Sequence, residues 1–303
     1  MRRFLRTVCK HLTRLALVFA LAISASSAYS SSVFYVIAHE DDWQLSMNPN
    51  AYYDVQNPLS KVIFIYVTAG DAGFGVEPAK PTIVPYYVAR ENAANSASRF
   101  MADISSPPKE STSNTAILNG HSIHRIIYKN TASYFLRLPD GNGDGSGFAN
   151  TGFWSLQQFR SGRAAKGSAI DGSTTYVHWK DLAATVKEMI VSEMVGATDA
   201  TINIPESDTQ LNIKSHPDHL NTSLLVEEAI DDLKCISRTF YLDYVTSGKP
   251  INLSPEDRDI KSGVFAITTA AVSQFGYPST WDPIHRSWLG RQYRRVEPPR
   301  CGN

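Results

Sequence analysis

The sequence predicts an α/β fold: a Rossmann-like, mostly parallel sheet with helices on both faces and a site at the carboxyl ends of its strands. Three observations predict it. Short apolar runs rich in β-branched and aromatic residues have no polar alternation, as in strands buried on both faces. Stretches of helical period separate them. Two clusters of histidine and aspartate follow directly on such strands.

The elements follow in order. Val33-Phe34-Tyr35-Val36-Ile37 reads as the first buried strand, and Lys61 to Thr68 as the second, ended by Ala69-Gly70-Asp71-Ala72-Gly73. Between Tyr86 and Met101, Ala89, Ala93, Ala97 and Met101 share one face of a helix. His124 to Tyr128 and Ser133 to Leu138 read as further strands, Lys180 to Met194 as a helix and Ala200 to Ile204 as a strand. A helix is expected over Pro217 to Leu233, with proline at its first position, where the missing N–H costs nothing. Asp140 to Gly162 and Lys249 to Asp259 are expected to be long surface loops.

Met1 to Arg14 carries five basic residues (Arg2, Arg3, Arg6, Lys10, Arg14) and no acid. The apolar run Leu15 to Ile23 and the small residues Ser24 to Ala28 follow. This is the pattern of a secretory signal peptide, because the apolar core is about half the ~20 residues a membrane span needs. Cleavage is expected near Ala28, leaving 29–303 as a single exported domain, secreted or periplasmic, with no stable membrane span. The chain has 29 basic and 29 acidic residues, and losing the leader's five basic residues leaves a net charge near −5. No basic stripe exists, so nucleic acid is not an expected partner. Cys235 and Cys301 remain after cleavage, as a disulfide pair or as two thiols.

The chemistry-bearing residues form two clusters. Ala38-His39-Glu40-Asp41-Asp42 follows the first strand, and His216-Pro217-Asp218-His219 opens a helix after the Ala200 strand. Imidazole and carboxylate are the ligands of hydrolytic zinc sites, where three protein ligands leave a position for water. His39 and Asp42 are three apart on a tight turn, so both can point at one ion. His216 and His219 share a helical face. Asp41 can lie beside the ion. Hydrolysing an amide requires an activated water, a base and an acid for the leaving amine.

Both motifs resemble those of the PIG-L/LmbE-like family of zinc N-deacetylases, whose signatures are an Ala-His-Pro-Asp-Asp-Glu turn and a His-Pro-Asp-His helix start. The resemblance extends to Thr68-Ala69-Gly70, Arg90-Glu91 and Leu138-Pro139-Asp140-Gly141. It implies that His39, Asp42 and His219 hold Zn2+, that Asp41 is the general base, and that His216 stabilises the oxyanion or protonates the amine. It also implies that Arg90 binds substrate hydroxyls or orients the metal turn, that Asp140 binds the sugar, and that the substrate is an N-acetylglucosamine-type amino sugar or glycoconjugate. Glu40 stands where the family has Pro, and Trp43 where it has an acid, so Trp43 is expected to offer an aromatic surface near the sugar. Two other readings share the scaffold: a non-catalytic secreted carbohydrate-binding protein, and a metal amidase acting on a non-sugar acylated amine.

Overall fold

A computed structural model describes residues 29–78, 84–299 and 301; the expected leader, Met1 to Ala28, lies outside them. β1 (Ser31–Ile37) and β2 (Ser60–Thr68) run parallel with Val33 opposite Val62. β3 (Thr112–Leu118), β4 (His121–Tyr128) and β5 (Thr131–Leu138) form a meander. β6 (Gly167–Ser168) and β7 (Thr175–Tyr176) pair apart from the rest. β8 (Asp199–Pro205), β9 (Ile236–Tyr241) and β10 (Arg294–Glu297) complete an eight-stranded sheet of order β10-β9-β8-β1-β2-β5-β4-β3. Its middle strands, β9-β8-β1-β2-β5, are all parallel, and the edge pairings β10-β9, β5-β4 and β4-β3 are antiparallel. The mostly parallel α/β sheet is therefore present as expected.

Side chains alternate across β1, Phe34 and Val36 to one face and Val33, Tyr35 and Ile37 to the other. Besides the short α1 (Asn50–Gln56), the layers come from long helices. α2 (Tyr86–Asp103) covers the second face through Ala94, Ala97 and Met101. After the short α3 (Leu156–Arg160), α4 (Trp179–Glu193) and α5 (Pro217–Ala229) cover the first face through Leu182, Val186, Leu225 and Val226. α6 (Pro255–Gln274) returns to the second face, where Val264 joins its core and Ala271 and Val272 pack on Ala89 and Ala93 of α2. α7 (Pro283–Arg286) is a single turn. Among the described residues no helix is long and apolar enough to cross a membrane.

Four expectations are corrected. α5 stops at Ala229, not Leu233, because the acids Asp231 and Asp232 would sit at a helix C-terminus, against the helix dipole. The expected loop Lys249 to Asp259 is half helix: Ser254 caps α6 by accepting from Asp257 N at 3.1 Å. The Asp140 to Gly162 segment contains α3, capped by Ser155. Trp43 offers no surface to a sugar. It lies fully buried in a π-helical turn, Trp43–Met47, donates to the Tyr66 hydroxyl at 2.9 Å and packs on Phe64. Cys235 and Cys301 are joined in a disulfide, which ties the start of β9 to the tail beyond β10.

Candidate metal centre

Each of the five parallel strands delivers a polar side chain from its carboxyl end to one place. His39 and Asp42 follow β1, Asp71 follows β2, Asp140 follows β5, His216 and His219 follow β8, and Asp243 follows β9. Such convergence is the rule for open parallel sheets.

His39 Nδ1, Asp42 Oδ1 and His219 Nε2 face one another. His39 Nδ1 is 3.6 Å from Asp42 Oδ1, Asp42 Oδ1 is 3.1 Å from His219 Nε2, and the two imidazole nitrogens are 3.3 Å apart. Metal bonds of ~2.0–2.2 Å in a tetrahedral site imply edges of roughly 3.3–3.6 Å. Two edges of the triangle fall in that range and the Asp42–His219 edge is slightly shorter, and its three atoms belong to the buried residues expected to hold metal. The Asp42 turn is fixed from its other side, since Oδ2 accepts from His39 N at 2.8 Å.

Behind the triangle a carboxylate hydrogen-bonds His219, and two more lie near His39 Nε2 without a hydrogen bond to it. His219 Nδ1 lies 2.9 Å from Asp243 Oδ2, which also accepts from Ser215 Oγ at 2.6 Å and Asn212 Nδ2 at 2.8 Å. His39 Nε2 lies 3.4 Å from Asp218 Oδ2 and 3.9 Å from Asp140 Oδ2. Carboxylate behind histidine is the usual outer support of a metal ligand, fixing tautomer and ring direction. Asp218 is wholly buried and accepts from Gly141 N at 2.8 Å. A Cβ on Gly141 would fall 2.4 Å from Asp218 Oδ1, so glycine is required for this approach.

The field favours a cation. Burial pushes the His39 and His219 pKa values down, but the carboxylates outweigh it. Asp42, Asp218 and Asp140 hold His39 well above its ordinary range, and Asp42 and Asp243 raise His219 to about 10. Burial would raise Asp42, yet the same imidazoles hold it well below the usual carboxylate range. His216 differs: burial, reinforced by His39, pushes it down to about 4. It caps α5, Nδ1 accepting from Asp218 N at 3.1 Å, which leaves the hydrogen of a neutral ring on Nε2.

Asp41 stands outside the triangle. Its Oδ1 pairs with Arg90 Nη2, and among the described residues Oδ2 has no hydrogen-bond partner. Arg90 also reaches Glu40 Oε2 with Nε at 3.1 Å and Gly70 O with Nη1 at 2.7 Å. Of the two roles implied for Arg90, this geometry matches orientation of the metal turn. Glu40, in the family's proline position, is buried beneath that guanidinium, and burial pushes it up to about 8 against the pull of Arg90. Gly70, at φ +49°, is held close, since a Cβ there would lie 2.5 Å from Glu40 Oε2. Asp140 is buried rather than offered to solvent, its oxygens accepting from Asn142 N at 2.9 Å and Ala72 N at 3.3 Å. Aromatic rings stand nearby: Tyr86 under Arg90, and Tyr244 edge-on to His219.

Two functional candidates escaped the sequence reading. Asp218 sits inside the second motif, where an aspartate in a first helical turn reads as a capping residue. Asp243 is a lone acid after a polar strand, and only its position at a strand's carboxyl end could have singled it out.

No protein-family model matches the chain, and no curated protein matches it. Among solved structures it is similar to N,N'-diacetylchitobiose deacetylase from Pyrococcus horikoshii, complexed with its inhibitor MPG: 13% identity over 95% of this chain and 92% of that one, with a TM-score of 0.49. It is also similar to teicoplanin deacetylase Orf2 in its zinc-inhibited form, at 14% identity over 80% of this chain and 84% of that one, with a TM-score of 0.42. A deacetylase–teicoplanin complex matches at 14% identity over 80% and 87%, with a TM-score of 0.44. At this distance the likenesses carry no weight, and function rests on the geometry of the site.

Proposed function

We propose that this chain is an exported, zinc-dependent N-deacetylase that hydrolyses the N-acetyl group of an N-acetylglucosamine-type amino sugar or glycoconjugate. The observation that carries the proposal is the triangle of His39 Nδ1, Asp42 Oδ1 and His219 Nε2, with edges of 3.6, 3.1 and 3.3 Å. Its two-nitrogen, one-oxygen donor set suits zinc. The deacetylase reading of that site, and the sugar, come from the resemblance of the motifs around His39 and His216.

The residues divide the work as follows. His39, Asp42 and His219 would hold zinc, which when bound supplies Lewis acidity to the amide carbonyl and the attacking water. Asp41 takes the proton of that water on its unpaired Oδ2, while Arg90 holds Oδ1 and fixes the carboxylate's direction. His216, neutral and with hydrogen on Nε2, donates to the carbonyl oxygen as negative charge develops there. Its downward-shifted pKa suits this donor role better than delivery of a proton. The amide C–N bond breaks, the proton gathered by Asp41 passes to the departing nitrogen, and the products are acetate and a free amine.

Export accounts for the basic start and short apolar core, and the Cys235–Cys301 disulfide suits an oxidising compartment. The test is acetate release from a panel of N-acetylated sugars and amines by purified protein, with chelation and zinc add-back. Activity confined to the sugars, lost on chelation and restored by zinc, is expected. Full activity in the metal-free protein refutes the zinc assignment. Hydrolysis of only non-sugar amides selects the broader amidase, and sugar binding without hydrolysis selects the carbohydrate-binding protein. N-terminal sequencing of the exported protein should begin near Tyr29; a chain retained in the membrane from Met1 would refute export.

A further inference from the structure

Glu40 is the acid of the first cluster that has no task in the hydrolysis. It is buried, and neither Oε1 nor Oε2 has a hydrogen-bond partner among the described residues. Its near neighbour is Arg90, whose Nε lies 3.1 Å from Oε2, an ion-pair distance without the direction of a hydrogen bond. A buried acid in that state costs stability. Charge balance does not require it, because Asp41 Oδ1 already pairs with Arg90 Nη2. Nor does the turn require it: Asp42 Oδ2 accepts from His39 N and Gln44 Nε2 donates to Glu40 O, each at 2.8 Å. Yet the fold makes room for the pair. A Cβ on Gly70 would fall 2.5 Å from Glu40 Oε2 and 2.8 Å from Arg90 Nη1, and glycine avoids both clashes.

We propose that Glu40 is a positioning residue, which sets the rotation of the Arg90 guanidinium and through it the direction of the Asp41 carboxylate. This rests on the N-deacetylase reading, in which Asp41 is the base, and adds a residue to which that reading gives no role. A guanidinium is flat, so its plane is fixed only when separate nitrogens are held. Here each nitrogen faces one oxygen: Nη1 donates to Gly70 O at 2.7 Å, Nη2 pairs with Asp41 Oδ1, and Nε faces Glu40 Oε2. Asp41 is the group to be steered and the more exposed of the two acids, its side chain 19% exposed against 2% for that of Glu40. Without Glu40 the remaining fixed point would be Gly70 O, about which the plane can swing. Burying Glu40 therefore lowers stability and gives the base a fixed direction.

The experiment uses the zinc-loaded, full exported chain and follows acetate release from N-acetylglucosamine and its oligomers. Glu40→Met keeps the length of the side chain and removes both oxygens, while Glu40→Gln keeps one acceptor in place. The methionine variant should lose roughly 10–100-fold in kcat, the effect of a misplaced catalytic group, with KM and zinc content within about twofold of wild type. Its Tm should rise by roughly 2–6 °C, because a buried acid without hydrogen bonds has been removed. Glu40→Gln should restore most of the lost kcat. In an Arg90→Lys background, where the planar fork is gone, Glu40→Met should cost under about twofold more, since residues that act as one unit are not additive. A methionine variant with wild-type kcat overturns the positioning role, and so does one that loses zinc or melts lower, which would make Glu40 a support of the fold. Losses that add in the Arg90→Lys background overturn the route through Arg90. A metal-replete wild type that releases no acetate from any of these sugars instead overturns the parent reading, and the positioning role with it.

Discussion

Asp243→Asn tests the architecture of the candidate metal centre from behind His219. Asp243 Oδ2 gathers three groups, His219 Nδ1 at 2.9 Å, Asn212 Nδ2 at 2.8 Å and Ser215 Oγ at 2.6 Å, while Oδ1 accepts from Tyr244 N. Asparagine keeps the size and one acceptor. Its amide cannot carry the charge that steadies His219, and its NH2 must face at least one of the donors now satisfied. Removing such an outer carboxylate costs typically 10–100-fold in metal affinity, or about 1.4–2.7 kcal/mol. The loss should appear in zinc affinity measured by competition with a chromogenic chelator. Turnover at saturating zinc should fall less, because the three ligand atoms themselves remain. Zinc affinity within twofold of wild type would refute the reasoning, since His219 would then need no partner to stay oriented. Loss of folding, seen by circular dichroism, would mean that Asp243 serves the 206–216 loop first and the metal second.

Other substitutions separate the remaining roles. Asp41→Asn should lower kcat by ~10²–10⁴-fold with zinc content unchanged, and His219→Ala should lose metal and activity together; loss of zinc from the Asp41 variant would show that the two aspartates have been assigned the wrong way round. The Cys235–Cys301 disulfide, spanning 66 residues, should leave no alkylatable thiol in unreduced protein, and its reduction should lower stability by about 4 kcal/mol in the chain-entropy model; two alkylated cysteines would end that expectation. Lys261 is wholly buried with Nζ donating to Arg291 O at 2.6 Å, and burial pushes its pKa from 10.5 down to about 7. The unfolded chain therefore binds a proton that the native chain lacks between those values, so stability rises with pH across that window and the full cost is present below it. Allowing for the lost hydrogen bond, Lys261→Met should stabilise by roughly 2–4 kcal/mol at pH 6 and by about nothing at pH 10; chemical denaturation at the two pH values checks this, and an equal shift at both would refute it.

What was legible in the sequence follows from how each element is buried. β1 and β2 lie between two helical layers, so their runs are apolar without interruption and read directly as central strands. β3, largely exposed at the sheet edge, reads Thr-Ser-Asn-Thr over its first half and carries no such signal. β9 is masked by Ser237 and Arg238, which are only partly covered, and by the buried Thr239. α6 was hidden by the charges of its first turn, although Ser254 and Asp257 carry the spacing of an N-terminal cap. Trp43 shows the opposite error: proximity in sequence to a site suggested a surface, while the turn after Asp42 points the ring into the core.

Five histidine and aspartate positions, His39, Asp41, Asp42, His216 and His219, were read from the two motifs, whereas their outer partners, Asp218 within the second motif and Asp140 and Asp243 after other strands, are brought together only by the fold. Those partners are what make the cluster a cation site rather than a packed polar core. Asp42, Asp140, Asp218 and Asp243 crowd the imidazoles of His39 and His219. The nearest guanidinium, Arg90, is committed to Glu40 and Asp41. Burying carboxylates without compensating charge costs several kcal/mol for each. A fold stabilised by structural hydrogen bonding alone would have no reason to gather four of them around two histidines. Positive charge on or between those rings would offset that cost, and two groups of side chains each face a common point: His39, Asp42 and His219, and His39, Asp140, His216 and Asp218. A divalent cation in the first group would supply that charge at one point, held by three of the donors present. The excess of buried acid, more than any single ligand, is what makes this cluster able to hold a metal ion.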